Sequence, residues 1–269
     1  MPARPLLSLL LAAALLGAAL LWPAAPAQAG DVFNRLRARG LVRVCIWPDY
    51  YGITWRNPRT GRLSGLDIDL SAEFARELGL GLSYVDSSFG ALVDDLLAER
   101  CDIAMHAVAV LPVRAEKLAF TRPYLRSGIV AITTRSQRRL KTWDDIDRDG
   151  VKVAVQAGTF MEPVMATRLK QAQLVVVRPP QSREQELEAG RVDVFMTDYP
   201  YSRRLLDQAD WARLITPPEP VHPLPYAYAL KPGDAEWLQA ADAFVERIRR
   251  DGRLAAIAAR HGLAVIVER

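Results

Sequence analysis

The chain has 269 residues, with 35 Lys and Arg against 31 Asp and Glu, two cysteines and three histidines. A formal charge of +4 with both signs interspersed argues against a nucleic-acid surface, which needs a concentrated basic patch. The two cysteines form no CxxC pair and the histidines are scattered, which argues against a metal or haem centre.

The chain opens with Arg4, an apolar run from Leu6 to Leu21, Pro23, and the small-residue site Ala27-Gln28-Ala29. This reads as a secretory signal over residues 1–29, cleaved before Gly30. The alternative is a retained membrane anchor, for which the run is slightly short and no basic cluster follows. No Cys stands at the cleavage site to carry a lipid. About 240 residues then remain, enough for one large or two small domains.

Val42 to Trp47 is a β-rich run that Pro48-Asp49 ends in a loop holding Tyr50 and Tyr51, and Asn57-Pro58-Arg59-Thr60-Gly61 is a hairpin-like turn. Asp67 is expected to cap a helix whose Leu70, Phe74 and Leu78 recur at helical spacing until Gly79 stops it. Leu82 to Val85 is a second strand. Ser88 then opens a helix with Phe89, Leu92, Val93, Leu96 and Leu97 on one face, delivering the chain to a strand from Cys101 to Met105. This alternation is the signature of a parallel α/β layer.

A second layer starts near Ile129. Val151 to Gln156 is a strand, Gly158-Thr159 a turn into a helix, Leu174 to Val177 a strand, Arg183 to Ala189 a helix and Val192 to Met196 a strand. The proline-rich stretch from Pro217 to Pro223 reads as a return crossing, with Tyr226 to Leu230 as one more strand. In the helical tail, Trp237, Leu238, Ala241, Phe244, Val245 and Ile248 share one apolar face, and a short helix runs from Gly252 to His261-Gly262.

Leu96-Leu97-Ala98-Glu99-Arg100-Cys101-Asp102-Ile103-Ala104-Met105 is echoed by Leu187-Glu188-Ala189-Gly190-Arg191-Val192-Asp193-Val194-Phe195-Met196. Each reads as a helix end, a tight turn and an apolar strand, so the expected fold is α/β with two similarly built lobes. Lobe 1 spans residues 30–128 plus 222–269 and lobe 2 spans 129–221, with two crossings as a hinge. Ligands in open parallel sheets sit beyond the carboxyl ends of strands, so residues after Met105 and Met196 should face a cleft. Cys45 and Cys101, both placed in strands, either bridge neighbouring strands or are two buried thiols.

Several segments resemble the family 3 extracellular solute-binding proteins, the polar amino-acid receptors of ABC importers. They are Val42-Arg43-Val44 with Tyr50, Gly65-Leu66-Asp67-Ile68-Asp69-Leu70, Pro112-Val113-Arg114 with Phe120-Thr121-Arg122-Pro123-Tyr124, the run from Gly150 to Thr159, and Gly190-Arg191-Val192-Asp193. The resemblance implies a two-lobed periplasmic-binding-protein fold of type II, with two parallel or mixed sheets flanked by helices. It implies a soluble periplasmic monomer without a cofactor that closes on an amino acid or related small carboxylate and docks on an ABC permease. Arg114 falls at the family's carboxylate-binding arginine and Asp198 at its ammonium-binding carboxylate; Asp198 could equally cap the helix at Tyr199-Pro200. Tyr50 and Phe89 match positions that pack on the ligand side chain. The Gly158-Thr159 turn would offer backbone N–H groups to a carboxylate.

The chain departs from the family pattern where hydroxyl residues usually contact the ligand. The run before the arginine is Ala107-Val108-Ala109-Val110-Leu111, and Phe160 follows the Gly-Thr turn. Each missing hydroxyl removes a hydrogen bond worth about 0.5–1.5 kcal/mol, which points to an aromatic or aliphatic amino acid, or another small carboxylate. Two other functions remain open: a periplasmic dehydratase of the prephenate or arogenate type, for which Glu162 could serve as the acid although it equally reads as a first-turn helix acid favoured by the dipole, and an accessory binding protein of a quinoprotein oxidation system.

Overall fold

Two ten-residue strands lying side by side organise this chain. The structure is a computed structural model that describes residues 31–268; the signal-peptide reading of residues 1–29 lies outside the described residues. In chain order, α1 (Asp31–Arg39) leads to β1 (Leu41–Ile46), a small antiparallel sheet of β2 (Asp49–Tyr50), β3 (Thr54–Arg56) and β4 (Leu63–Ser64), then α2 (Leu66–Leu78) and β5 (Gly81–Asp86). Next come α3 (Leu92–Leu97), β6 (Ile103–Ala109), the single turn α4 (Pro112–Ala115), β7 (Ala119–Phe120) and the long β8 (Leu125–Thr134). The chain continues through β9 (Lys152–Gln156), α5 (Met161–Arg168), β10 (Gln173–Val177), α6 (Arg183–Glu188), β11 (Val194–Asp198), α7 (Tyr199–Leu206) and β12 (Ala212–Ile215). It returns along the long β13 (Val221–Leu230) to α8 (Ala235–Arg250) and α9 (Arg253–Arg260).

The strand order is β10-β9-β11-β8-β13-β6-β1-β5, with β12 also paired to β8 and β7 to β13. At one end β5, β1 and β6 are parallel, and at the other β10, β9 and β11 are parallel. Between them β8 and β13 run antiparallel to each other, with Val221 opposite Ile129. The two sheets expected from the sequence are thus the two ends of one hydrogen-bonded sheet, because both crossings are themselves strands. The prolines at the start of β13 do not prevent this. Pro223 falls where the register shifts between Val221 and Leu224, where no ladder N–H is needed.

The echoed motif has a shared backbone geometry. Glu99 and Gly190 occupy matching positions and both take the left-handed conformation, at φ 55 and φ 68. The following N–H groups reach back to close the turn, Arg100 to the Asp95 carbonyl and Arg191 to the Glu186 carbonyl, both at 2.9 Å. Each repeated aspartate then aligns the neighbouring parallel strand. Asp102 accepts from the Arg43 N–H at 2.7 Å, and Asp193 from the Lys152 N–H at 2.9 Å. The aspartates' own N–H groups donate to the carbonyls of those same residues.

Several sequence expectations need correction. Asp67 is not a cap: Gly65 is the N-cap of α2, at φ 137, and Asp67 lies fully buried in the first turn. Helix α3 starts at Leu92 instead of Ser88, whose hydroxyl accepts from the Ala91 N–H, so Phe89 sits in the preceding loop. Cys101 precedes β6 instead of lying in it. The sequence does not mark β2, β3, β4, β7, β8 or β12 as strands, nor α1 and α4 as helices. On α8, Trp237, Ala241, Phe244, Val245 and Ile248 are buried as the spacing implies, while Leu238 is only partly covered. Trp237 and Phe244 stack on Phe74 of α2, each burial worth about 2–3 kcal/mol.

Cys45 of β1 is joined to Cys101 across 56 residues, with Cα atoms 5.5 Å apart. Closing such a loop restricts the unfolded chain. The double variant Cys45→Ser/Cys101→Ser is therefore expected to lose about 2–4 kcal/mol of unfolding free energy, read as a lower denaturant midpoint.

Candidate functional site

The carboxyl ends of β1, β6 and β11 and the amino ends of α5, α6 and α7 converge on one small cavity. Trp47, Tyr50, Phe89, Ala107, Ala109 and Arg114 line it from one end of the sheet. Thr159, Phe160, Met161, Arg183, Thr197, Asp198 and Tyr201 line it from the other, and Tyr226 reaches in from β13. Residues just past Met105 and Met196 therefore do face the cleft, as strand polarity requires.

Arg114 is 5% exposed, on the single turn that Pro112 starts after β6. Its Nη1 donates to the Ala109 carbonyl at 3.1 Å and its Nη2 crosses the cleft to the Gly158 carbonyl at 2.9 Å. Among the described residues no carboxylate lies within salt-bridge distance of it. Burial without a counter-charge pushes its pKa down to about 10. A planar guanidinium has the fork geometry that matches a carboxylate's two oxygens.

Asp198 ends β11 and both roles considered for it have structural expression. Its Oδ1 accepts from the Tyr201 N–H at 3.2 Å as the N-cap of α7. Its Oδ2 faces the cavity, where it accepts from the Tyr226 hydroxyl at 2.7 Å and from the Tyr50 hydroxyl. Burial raises the Asp198 pKa while these donors lower it, with burial prevailing. Since a carboxylate has about four acceptor sites, three internal donors leave little for a ligand.

A second buried carboxylate shapes the wall. Asp67 accepts from the Tyr124 hydroxyl at 2.6 Å, the Tyr228 hydroxyl at 3.1 Å and the Ala107 N–H at 2.9 Å. The last bond pins Ala107 at φ 49, a conformation that costs an L-residue about 1–2 kcal/mol. Tyr226 and Tyr228, two apart on β13, thus serve one aspartate each. Phe89 packs on the Trp47, Tyr50 and His106 rings at 5.2–5.6 Å. Buried His106 is held neutral, its pKa pushed down to about 4 by desolvation.

The Gly158-Thr159 turn acts differently from the expectation. The Gly158 N–H donates to Glu162 at 2.9 Å and the Thr159 N–H to the Gln156 carbonyl at 3.3 Å, so neither is free for a ligand. Glu162 is thereby an anchor of the turn, absent from the cavity lining. What Gly158 supplies is its carbonyl and its lack of a side chain. At φ +75, a Cβ there would lie 2.6 Å from the Gly90 backbone and 3.0 Å from the Phe89 carbonyl carbon. The sequence reading missed Trp47, Met161, Arg183, Thr197, Tyr201 and Tyr226. Only Arg183 carried a local cue, since Ser182 and Gln185 form a capping box that fixes where α6 begins.

The model of the bacterial extracellular solute-binding proteins, family 3, matches residues 42–264. The chain belongs to that family. Over 166 residues, covering 61% of this chain and 62% of the relative, it is 32% identical to a cyclohexadienyl dehydratase of Pseudomonas aeruginosa. The L-cystine-binding protein TcyJ of Escherichia coli K12 is 24% identical over 227 residues, 84% of each chain. Among solved structures, an ancestral amino acid-binding protein described as a precursor of cyclohexadienyl dehydratase superposes with a TM-score of 0.77 at 25% identity, covering 86% of this chain and 99% of that one. These likenesses fit the two-lobed type II fold of this family 3 protein.

Two outcomes follow for the site. Gly158→Ala should hold the lobes apart through backbone contact at Gly90, enlarging the radius of gyration in small-angle scattering and weakening ligand binding at least about tenfold. Burial lifts Asp67 to about 7, above its unfolded value, so the folded state keeps that proton to higher pH. This contribution is complete below the ordinary carboxylate range and falls as pH rises toward about 7, at up to about 1.4 kcal/mol per pH unit. Asp67→Asn is expected to flatten the urea midpoint between about pH 4 and 7.

Proposed function

We propose that this protein is a periplasmic receptor that captures a small carboxylate, an amino acid or a related acid, by lobe closure and delivers it to an ABC permease. The observation that carries this is Arg114, buried in the cleft with no carboxylate partner among the described residues and bonded across it to Gly158. In this reading lobe 1 comprises residues 30–128 and 222–269, lobe 2 comprises 129–221, and the mature protein acts as a monomer. Tyr50, Phe89 and Phe160 flank the ligand body, and Ala107 and Ala109 leave room for it. Bonds that exist only when both sides meet favour the closed state, and a ligand anion on Arg114 adds to them.

The likeness to a dehydratase raises the question of catalysis, and the side chains favour binding. General acid chemistry needs a proton donor within reach of the leaving group. The one carboxylate lining the cavity, Asp198, accepts from Tyr50, Tyr226 and the Tyr201 N–H, and Glu162 is engaged by Gly158.

A thermal-shift screen of refolded, ligand-stripped protein against all amino acids and a set of organic acids tests the proposal. A ligand at a hundred times its Kd adds about 2.7 kcal/mol, several degrees in Tm. Arg114→Gln is expected to abolish the shift while keeping the fold. A variant that binds like the parent would refute the assignment, and turnover of prephenate or arogenate would replace it with an enzyme.

A further inference from the structure

The cavity holds a second buried guanidinium that the carboxylate-receptor reading leaves without a task. Arg183, at the start of α6, is 3% exposed and lines the same space as Arg114. Its Nη1 donates to the Met196 carbonyl at 2.6 Å, and its Nε is buried with no hydrogen-bond partner among the described residues. The guanidinium carbon lies 4.7 Å from the Tyr201 ring centre and 5.1 Å from that of Phe195. Aromatic faces hold a cation in place but do not neutralise it. As with Arg114, no carboxylate among the described residues comes within salt-bridge distance of it.

Among the described residues the Arg114 and Arg183 guanidiniums bond only to backbone carbonyls. Asp198 is engaged by three donors, Glu184 by the Tyr201 hydroxyl, and the histidine behind Phe89 is neutral. Buried charges need partners, because desolvation costs far more than an unpaired ion recovers. A single carboxylate, on a monoacid or on a net-neutral amino acid, contacts one guanidinium and leaves the other without an anion at bonding distance. The ammonium of an amino acid would also compete for an Asp198 carboxylate already engaged by three donors.

We infer that the ligand is a small organic acid with two carboxylates, one seated on Arg114 and the other on Arg183, joined by an apolar body that packs among Trp47, Phe89 and Phe160. This rests on the receptor reading and narrows it. The ligand's second charge supplies the counter-ion that Arg183 lacks, and Asp198 serves to hold the two lobes together through the tyrosines instead of gripping an ammonium.

Calorimetric titration of refolded, ligand-stripped protein tests this with matched pairs: glutarate against butyrate, phenylsuccinate against 3-phenylpropanoate, and L-phenylalanine as the net-neutral amino acid. The expected result is that at least one diacid binds at least about tenfold tighter than its monoacid and tighter than L-phenylalanine. Arg183→Gln should erase that preference and leave monoacid affinity within about twofold, whereas Arg114→Gln should weaken both. Tighter binding of L-phenylalanine than of either diacid, or a preference that survives in Arg183→Gln, overturns the inference while the receptor reading stands. Absence of binding by every one of these acids overturns the inference, and the receptor reading is then decided by the thermal-shift screen of all amino acids. If Arg183→Gln does not fold, the diacid-to-monoacid ratio in the unmodified protein decides alone.

Discussion

A carboxylate removed from water, Asp198, and the three donors that compensate it are the constraint on which this structure turns. One donor, Tyr50, stands on β2 of the small antiparallel sheet. Another, Tyr226, stands on the returning strand β13, and the Tyr201 N–H opens helix α7. A buried acceptor left unpaired is expensive, so the arrangement of three separate chain segments is specified together. The Arg114 bond to the Gly158 carbonyl adds a second tie across the same gap. Closure is therefore written into polar groups that would cost free energy if they met only partly, and the aromatic rings around them exclude water that could substitute.

The same solution occurs twice. Asp67 and Asp198 are both fully buried, both accept two tyrosine hydroxyls and a backbone N–H, and both draw a tyrosine from β13. One fixes the wall at Ala107 and the other the floor. Together they let a strand with small side chains, Ala107 and Ala109, stand where bulk would fill the cleft. That is how a cavity survives in a core that otherwise packs without voids. The aspartates in the echoed motif are a third use of the carboxylate, aligning parallel strands at the far end of each sheet segment.

Local signals made much of this legible. Gly79 and Gly252 mark helix limits because each takes a left-handed backbone that other residues resist, and the two turns at Glu99 and Gly190 were visible as a repeat. Arg114 and Asp198 are singled out by the family resemblance, since a place near a strand end does not by itself separate a ligand role from a surface arginine or a helix cap. Asp67 misled because a short acidic side chain ahead of an apolar helix has the composition of a cap, and only the tertiary fold shows tyrosines from 57 and 161 residues away turning toward it. Trp47, Tyr201 and Tyr226 were invisible for the same reason. An aromatic residue in a strand or helix has one composition whether it faces core or cleft. Only the first half of β13, before Tyr226, was obscured by its prolines, which suit a strand only where the ladder skips a bond.

The position of β13 has a consequence for assembly. It is the last strand of the chain, yet it lies in the middle of the sheet, between β6 and β8. Neither parallel end can be joined to the other until residues past 221 arrive, so the growing polypeptide carries two incomplete half-sheets with open edges. Pairings this distant along the chain slow the search for the native state. A late central strand therefore works as a latch: about the final fifth of the chain supplies the strand that hydrogen-bonds the two parallel halves into one sheet.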